Sequence, residues 1–137
     1  MKKTKNNSGM SLIEILIATA IIVFGAVAII QLYLTSINLS ELNKENITAS
    51  AHLLAMAEAI KCTPFNSVTS DFPDAVPDGP AGNDYATIVN GYVLTGEYIT
   101  VTYVDTGSDP LEINIEAGWL DKRGTNRRAY LATKRTR

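Results

Sequence analysis

The sequence predicts an α+β protein in which a long N-terminal helix packs on a small C-terminal antiparallel sheet. Two observations lead to this fold class. Apolar residues fill 10–30 and then recur at helical spacing as far as Ile60, with no glycine or proline between Gly25 and Pro64. The last part of the chain, 98–137, consists instead of β-rich stretches separated by turn residues. The length, 137 residues, leaves room for one globular domain and a membrane segment.

The first part of the predicted helix is apolar on all sides. Only Ser11, Glu14 and Thr19 interrupt the apolar stretch 10–30. As a helix this stretch would be about 32 Å long, which is enough to span a bilayer core of about 30 Å. The preceding residues, 1–9, contain three lysines and no acidic residue. The positive-inside rule therefore predicts that 1–9 stay in the cytoplasm and that the C-terminal domain lies outside it.

Glu14 bears on three interpretations of this apolar stretch. The stretch fits a plain single-pass anchor, a secretory signal with its cleavage site at 26–28, or a segment whose short leader is removed on the cytoplasmic side. A charged carboxylate at mid-membrane costs about 2.5–3.5 kcal/mol, and less near the interface. Neither a plain anchor nor a secretory signal gives this carboxylate a role. In the third, a newly exposed α-amino group on a packed neighbour would meet it inside the bilayer. The alternative role for Glu14 is a side chain that snorkels to the membrane edge.

At this point the residues resemble a known motif. The sequence of 9–18, GMSLIEILIA, is similar to the cleavage and methylation motif of type IV prepilins and the related pseudopilins. In that family a glycine precedes the cleaved bond and a glutamate stands fifth in the mature chain. Glu14 is fifth when Met10 is counted as the first residue. The family usually has phenylalanine at the position of Met10 and tolerates methionine there. Beyond Ile30 the likeness is loose.

The resemblance implies a role for each of these residues. Gly9 would be the residue before the cleaved bond, and 1–9 would be the leader peptide. Met10 would become the N-terminus and be N-methylated. Glu14 would pair with the amino group of an adjacent subunit and set the axial register of assembly. The implied partners are a prepilin peptidase that is also the N-methyltransferase, other pilin subunits through the N-terminal helix, and inner-membrane lipid before assembly. The implied location is the inner membrane, in a single pass, and then the pilus filament.

The second part of the predicted helix, 31–62, is amphipathic. Its predicted apolar face consists of Leu32, Thr35, Leu39, Leu42, Asn46, Ala49, Leu53, Met56 and Ile60. Its predicted polar face consists of Asn38, Glu41, Lys44, Glu45, Thr48 and Lys61. An amphipathic helix needs a domain that covers its apolar face. The division of the helix at residue 30, into a membrane half and a docked half, also fits the resemblance to pilins.

The next segment, 63–97, is rich in proline and glycine and is predicted to be a loop region, with short strands at 85–90 and 92–95. It also carries four aspartates, Asp71, Asp74, Asp78 and Asp84. Some pseudopilins bind calcium, but the spacing of an EF-hand loop and its closing glutamate are absent here. A solvated turn region is therefore favoured over a metal site.

The C-terminal segment, 98–137, is predicted to form an antiparallel meander. Its three strands are expected at 98–104, 111–120 and 127–133, with short connections between them. Apolar residues of the second strand alternate with polar ones, and the apolar set consists of Ile113, Ile115, Ala117 and Trp119. This set would face the amphipathic half of the helix, with Trp119 as the large anchor of the core.

No catalytic constellation, nucleotide-binding motif or cofactor site appears in the sequence. His52 is the only histidine, and a packed or solvated helix residue is its better interpretation. Cys62 is the only cysteine, so an intramolecular disulfide is excluded. The sequence therefore predicts a protein that is not an enzyme and that needs no cofactor or metal.

Within the family, the chain loosely resembles minor pilins of the pilus-modification type, on the residues Gln31, Ser36 and Asn38 and the stretches 49–56 and 60–61. A major pilin usually has a disulfide-closed C-terminal loop, which a single cysteine excludes. The predicted function is thus a minor type IV pilin subunit that is incorporated into a pilus or primes its assembly. The minor pseudopilins of type II secretion systems share the N-terminal signature and are the alternative.

A DNA-binding pilin displayed on the filament is a third interpretation. Basic side chains on the C-terminal segment could neutralise phosphates, and Tyr130 could stack on a base. These basic residues are Lys122, Arg123, Arg127, Arg128, Lys134, Arg135 and Arg137. Edge strands and chain ends also carry charge to stay soluble and to deter pairing. Nucleic acid is therefore not the favoured partner.

Overall fold

A computed structural model of the protein describes residues 11–80 and 84–137. Gly9 and Met10 lie outside the described residues. The chain forms two compact units, Met1–Ser40 and Glu41–Arg137. The elements are the helix α1 (Leu12–Cys62), a 3-10 turn (Phe65–Ser67), the helices α2 (Val68–Asp71) and α3 (Tyr85–Ile88), and the strands β1 (Tyr98–Tyr103), β2 (Leu111–Leu120) and β3 (Asn126–Arg135).

The predicted fold class is confirmed. The three strands form an antiparallel sheet in the order β1-β2-β3, which is a meander, and the C-terminal part of α1 packs against it. The buried residues of α1 are Ala49, His52, Leu53, Met56, Ala57 and Ile60. Of these, Leu53, Met56, Ala57 and Ile60 form one core with Ile99 and Val101 of β1 and the apolar residues Leu111, Ile113, Ile115 and Ala117 of β2. Trp119 is buried at the end of β2, as predicted.

The predicted faces of the helix are only partly correct. Glu41, Glu45 and Thr48 were assigned to the polar face, but all three are half-buried, and Glu45 Oε2 accepts a hydrogen bond from Trp119 Nε1 at 3.3 Å. The reason is helical spacing: Glu45 lies one turn before the buried Ala49, so the buried stripe continues through the glutamates. Asn46, from the predicted apolar face, is exposed. So are Leu32, Thr35 and Leu39.

The segment after α1 contains short helices instead of the predicted strands at 85–90 and 92–95. Asp84 begins α3, because its Oδ1 accepts a hydrogen bond from the backbone N–H of Ala86 at 2.9 Å. Tyr85 and Val89 are both buried, and their separation of four residues is the spacing of one helical turn. The apolar residues that suggested a strand therefore follow a helical period.

Two of the four aspartates bind the outer edge of β1. Asp78 Oδ1 accepts a hydrogen bond from Ile99 N at 3.0 Å, and Asp74 Oδ1 accepts one from Tyr103 N at 3.1 Å. Backbone bonds from Ala75 N to Val101 O, at 2.9 Å, and from Asp78 N to Ile99 O, at 2.7 Å, complete this contact. The segment thus covers one edge of the sheet, and these carboxylates serve as backbone acceptors.

Two tyrosines of the core differ in how their hydroxyl groups are satisfied. Tyr85 is fully buried, and its hydroxyl has no hydrogen-bond partner among the residues that the structure describes. Burial also raises the pKa of Tyr85 to about 12. The Tyr103 hydroxyl donates instead to the carbonyl oxygen of Phe72 at 2.6 Å. A buried hydroxyl without a partner retains its desolvation penalty, whereas a paired one has recovered it.

This contrast predicts opposite effects for the same substitution. Tyr85→Phe should leave the free energy of unfolding unchanged or raise it, because it removes an unpaired polar group. Tyr103→Phe should lower it by about 1 kcal/mol, because the Phe72 carbonyl loses its donor. The measurement is urea unfolding of the full chain in detergent micelles, followed by the fluorescence of Trp119. A larger loss of stability for Tyr85→Phe than for Tyr103→Phe would contradict the prediction.

Candidate membrane and assembly segment

The first turn of α1 places Glu14 beside the start of the helix. Ser11 precedes the helix, and its carbonyl oxygen accepts bonds from Glu14 N at 2.9 Å and Ile15 N at 3.2 Å. The Glu14 carboxylate turns back, and its Oε2 accepts a bond from Ser11 N at 3.4 Å. Acidic groups are favourable here because backbone N–H groups are unsatisfied in the first turn and the helix dipole is positive.

The bond from Ser11 N to Glu14 is long for a hydrogen bond to a carboxylate. The Glu14 carboxylate is therefore placed at the N-terminal end of α1 but weakly held by this contact. A cationic group at the same end would compete effectively for it. This arrangement fits the predicted contact with an α-amino group. It also fits a purely local role, in which Glu14 caps its own helix.

The side chains of α1 in the first unit form an exposed apolar surface. All described residues of this unit, 11–40, are exposed. The large apolar members before Gln31 are Leu12, Ile13, Ile15, Leu16, Ile17, Ile21, Ile22, Val23, Phe24, Val27, Ile29 and Ile30. By length and composition, α1 qualifies as a membrane-spanning helix. Such a surface is costly in water, at about 25 cal/mol per Å², so lipid or neighbouring helices have to cover it.

The threonines of this unit are compatible with an apolar surrounding. Thr19 Oγ1 donates to the carbonyl oxygen of Leu16 at 2.9 Å, and Thr35 Oγ1 donates to that of Gln31 at 2.9 Å. Each hydroxyl is thus satisfied within its own helix. An unsatisfied hydroxyl would cost several kcal/mol in hydrocarbon. Glu14 is therefore set apart in 11–30 as the one ionisable side chain of this stretch.

The second unit contains a buried ionisable pair that the sequence did not reveal. His52 Nδ1 lies 2.5 Å from Glu97 Oε1, and both side chains are buried. The other carboxylate oxygen of Glu97 accepts bonds from Val93 N at 3.2 Å and Leu94 N at 3.0 Å. Glu97 therefore fastens the loop before β1 to the helix. The partners are 45 residues apart, and no sequence pattern links them.

A groove of about 340 Å³ lies beside this loop. Its lining consists of Glu41, Lys44, Glu45, Thr48, Val93, Leu94, Thr95, Leu120 and Lys122. Thr48 Oγ1 in this lining donates to the carbonyl oxygen of Lys44 at 3.1 Å. Within 11–80 and 84–137, no group of three or more histidine, cysteine, aspartate or glutamate side chains is placed to hold a metal ion.

Most of the basic side chains in the C-terminal segment have partners within the protein. Lys122 Nζ lies 2.5 Å from Glu41 Oε1, and Arg128 Nη1 lies 3.3 Å from Glu116 Oε1. The remaining contacts are Arg127 with Asp121, Lys134 with Glu112, Arg135 with the carbonyl oxygen of Ile60, and Arg137 over the ring of Phe65. The pairing reduces the positive potential available to phosphates, which argues against nucleic acid as a partner.

Asp121 organises the turn between β2 and β3. Its Oδ1 accepts bonds from Thr125 N at 2.8 Å and Arg123 N at 2.9 Å, and its Oδ2 accepts one from Arg127 Nε at 3.1 Å. The hydrogen bond from the Thr125 backbone N–H is the main cause that holds the pKa of Asp121 below its usual value. Asp121 is therefore a structural carboxylate of the turn.

Comparison with known families bears on the N-terminal segment. Residues 4–30 match the family model of the prokaryotic N-terminal methylation motif. The match includes Gly9, Met10 and Glu14, and it supports a type IV pilin-like protein, as the sequence predicted. No curated protein and no solved structure matches the chain.

Proposed function

We propose that this type IV pilin-like protein is a minor pilin subunit, which a prepilin peptidase cleaves after Gly9 and methylates on Met10. The observation that carries the proposal is the methylation motif at 4–30, which leads directly into a helix with an exposed apolar surface. Before assembly the chain crosses the inner membrane once, with its C-terminal domain outside the cytoplasm. In the filament, neighbouring helices replace the lipid.

Glu14 is the proposed assembly contact. In the single chain its carboxylate has only the long bond from Ser11 N among the described contacts. Cleavage after Gly9 would give every subunit a cationic α-amino group on Met10. Pairing of Glu14 with the amino group of a neighbour would satisfy both charges inside the hydrocarbon. Since each such pair joins two chains at a fixed height, it would define the axial offset between subunits.

Two features support a minor subunit over a major one. Cys62 is the only cysteine, so the C-terminal region has no disulfide-closed loop. The second feature is the small size of the sheet, which has three strands within the part of the chain that the structure describes. The proposed division of the chain is leader 1–9, membrane half 10–30, amphipathic half 31–62, loop region 63–97 and sheet 98–137.

The methylation motif is common to pilins and pseudopilins, so a minor pseudopilin of a type II secretion system is the second candidate. The two are separated by the assembly that contains the protein. Filaments sheared from the cell surface would contain a minor pilin. A pseudopilin would instead co-purify with inner-membrane secretion components.

Leader removal is tested by intact-mass measurement of the protein purified from membranes. The expected mass corresponds to a chain that begins at Met10 and carries one additional methyl group. Gly9→Leu should leave the leader attached, because a bulky side chain replaces the small residue before the bond.

Gly25→Leu is the matched control. Nothing described lies within 4 Å of a Cβ atom placed at Gly25, so the same substitution is accommodated there. This variant should still be processed. The mass of the full precursor in the wild type, or of a chain that begins at Ile29, would exclude prepilin-type cleavage.

A further inference from the structure

The two edges of the sheet differ in how their backbone groups are satisfied. The edge of β1 is covered by the bonds from the segment that contains Asp74 and Asp78. The edge strand on the other side is β3. Within the described ranges, 11–80 and 84–137, the only backbone partner of β3 is β2. One side of β3 therefore presents free backbone donors and acceptors.

This open edge is long and regular. All ten residues of β3 pair with β2 in one continuous antiparallel register, from Asn126 opposite Leu120 to Arg135 opposite Leu111. The strand contains no proline, and the register has no bulge. Proteins usually shorten, bend or cover an exposed edge of this kind, because it is a template for another strand. Within the described residues β3 is not shortened, bent or covered. Its four basic side chains are the one protective device that it carries, and they deter a basic strand but not an acidic one.

The core is also incomplete under this edge. On β2 the residues that face the helix, such as Ile113 and Ile115, are fully buried. On β3 the corresponding residues, Ala129 and Leu131, are only partly buried although they pack against the same core. Another strand beside β3 would cover the remaining apolar surface, provided that its side chains on that face were apolar.

The charged residues on the face of the sheet away from the helix determine which side chains an added strand would need on that face. β3 has four basic residues and no acidic one. On the face away from the helix, Arg128 and Lys134 contact Glu116 and Glu112 of β2. Their pairing lowers the positive potential, but both basic side chains are more than half exposed, so each keeps N–H groups that can donate to a carboxylate on an adjacent strand. On this face, acidic residues of β2 lie beside basic residues of β3. A further strand with acidic residues, added beside β3, would continue this alternation of charge.

A second copy of β3 would not supply the acidic residues that the added strand needs on this face. In the antiparallel register that overlaps all ten residues, Arg127 of each copy would lie opposite Lys134 of the other. A shift by one residue in one direction would place Arg128 opposite Lys134. A shift in the other direction would place no like charges opposite each other, but it would bring no carboxylate to Arg128 or Lys134 either. Like charges directly opposite each other destabilise a strand pair.

We propose that β3 is a docking edge for an extended segment of another protein, in which apolar residues alternate with acidic ones. The segment would add to the sheet as a fourth strand. Its backbone would satisfy the open side of β3, its apolar residues would cover Leu131, and its carboxylates would meet Arg128 and Lys134. This interaction surface is separate from the contact of Glu14 and does not depend on the proposed function.

The test uses the full chain in a nonionic detergent and a fluorescent ten-residue peptide that alternates valine and glutamate. Two further peptides serve as probes. In one, lysine replaces every glutamate, and in the other, proline replaces two of the five valines. Fluorescence anisotropy should show binding of the glutamate peptide. Both other peptides should bind at least about tenfold more weakly. The lysine peptide would be repelled by Arg128 and Lys134, and each proline of the other peptide lacks a backbone N–H donor.

Variants and hydrogen exchange locate the binding site. The double variant Arg128→Ala/Lys134→Ala should weaken binding of the glutamate peptide about fivefold or more. Arg123→Ala/Arg137→Ala, which removes the same charge outside β3, should have little effect. Bound peptide should slow the exchange of alternate backbone amides within 126–135.

Four results would overturn the proposal. The first is no binding at millimolar glutamate peptide. The second is equal binding of the proline peptide, which would show a purely electrostatic contact. The third is protection outside β3, for instance at Val93 and Leu94 of the groove. The fourth is concentration-dependent protection of β3 without peptide, which would assign the edge to a second copy.

Discussion

Replacing Glu14 with alanine should remove the protein from filaments while leaving its insertion and processing intact. The substitution takes a charge out of the apolar stretch, so membrane insertion should become no harder. Cleavage after Gly9 acts on the other side of Met10 and should continue. Assembly should fail, because the α-amino group of the neighbouring subunit would remain unpaired in hydrocarbon. Removal of one partner from a buried ion pair costs about 3–5 kcal/mol, which corresponds to a loss of incorporation of more than about a hundredfold.

The measurement compares the amount of processed protein in sheared filaments with the amount left in the membrane. Glu14→Gln should behave like the alanine variant, since it keeps the shape and loses the charge. Glu14→Asp should be partly incorporated, because it keeps the charge with a shorter reach. Glu58→Ala is the matched control, since Glu58 is an exposed glutamate on the same helix. If the Glu14→Ala protein enters filaments as well as the wild type, Glu14 only caps its own helix.

Replacing Glu97 with alanine should produce the largest loss of stability in the second unit. The carboxylate binds His52 Nδ1 with one oxygen and the backbone N–H groups of Val93 and Leu94 with the other. Alanine would leave all three groups without this partner, in a place where the side chain of Glu97 is fully buried. We expect the free energy of unfolding to fall by about 3–5 kcal/mol.

Glu41→Ala is a suitable comparison, because Glu41 also pairs with a cation, Lys122, but the Glu41 side chain is only half-buried and that of Lys122 is exposed. Its loss should cost less than about 1 kcal/mol. Unfolding in urea, followed by Trp119 fluorescence, measures both variants under the same conditions. The double variant Glu97→Ala/His52→Ala should be less destabilised than the sum of the single variants, since neither partner is then left alone. Equal effects of Glu97→Ala and Glu41→Ala would show that the buried pair adds nothing beyond a surface contact.

The parts of the fold that were predicted correctly depend on local periodicity. The helix ends at Cys62, as expected from the helical pattern that precedes Pro64. The alternation of β2 identified its buried face, including Trp119, because successive side chains of a strand point to opposite sides. The methylation motif is similarly local, and the family-model match at 4–30 includes Glu14, whose role in assembly stays a prediction.

The features that were missed depend on contacts between distant parts of the chain. Nothing near His52 in the sequence indicates that Glu97 would become its partner. The aspartates of 63–97 resemble solvated turn residues until β1 is placed beside them, where Asp74 and Asp78 bind its backbone. The short helix α3 was missed because four residues are too few to distinguish a helical from an alternating pattern.

The covered edge of β1 has a consequence for how far the sheet can extend. When both edges of a sheet are open, each molecule can pair with a neighbour on either side, and the assembly can grow without limit into a fibre. Here Asp74 and Asp78 cover the edge of β1, so within the described residues the edge of β3 is the side of the sheet that another strand could join. If β3 docks another segment as proposed, copies of this chain cannot be linked to one another through the edge of β1 and the edge of β3 in turn, which is the arrangement that a fibre requires.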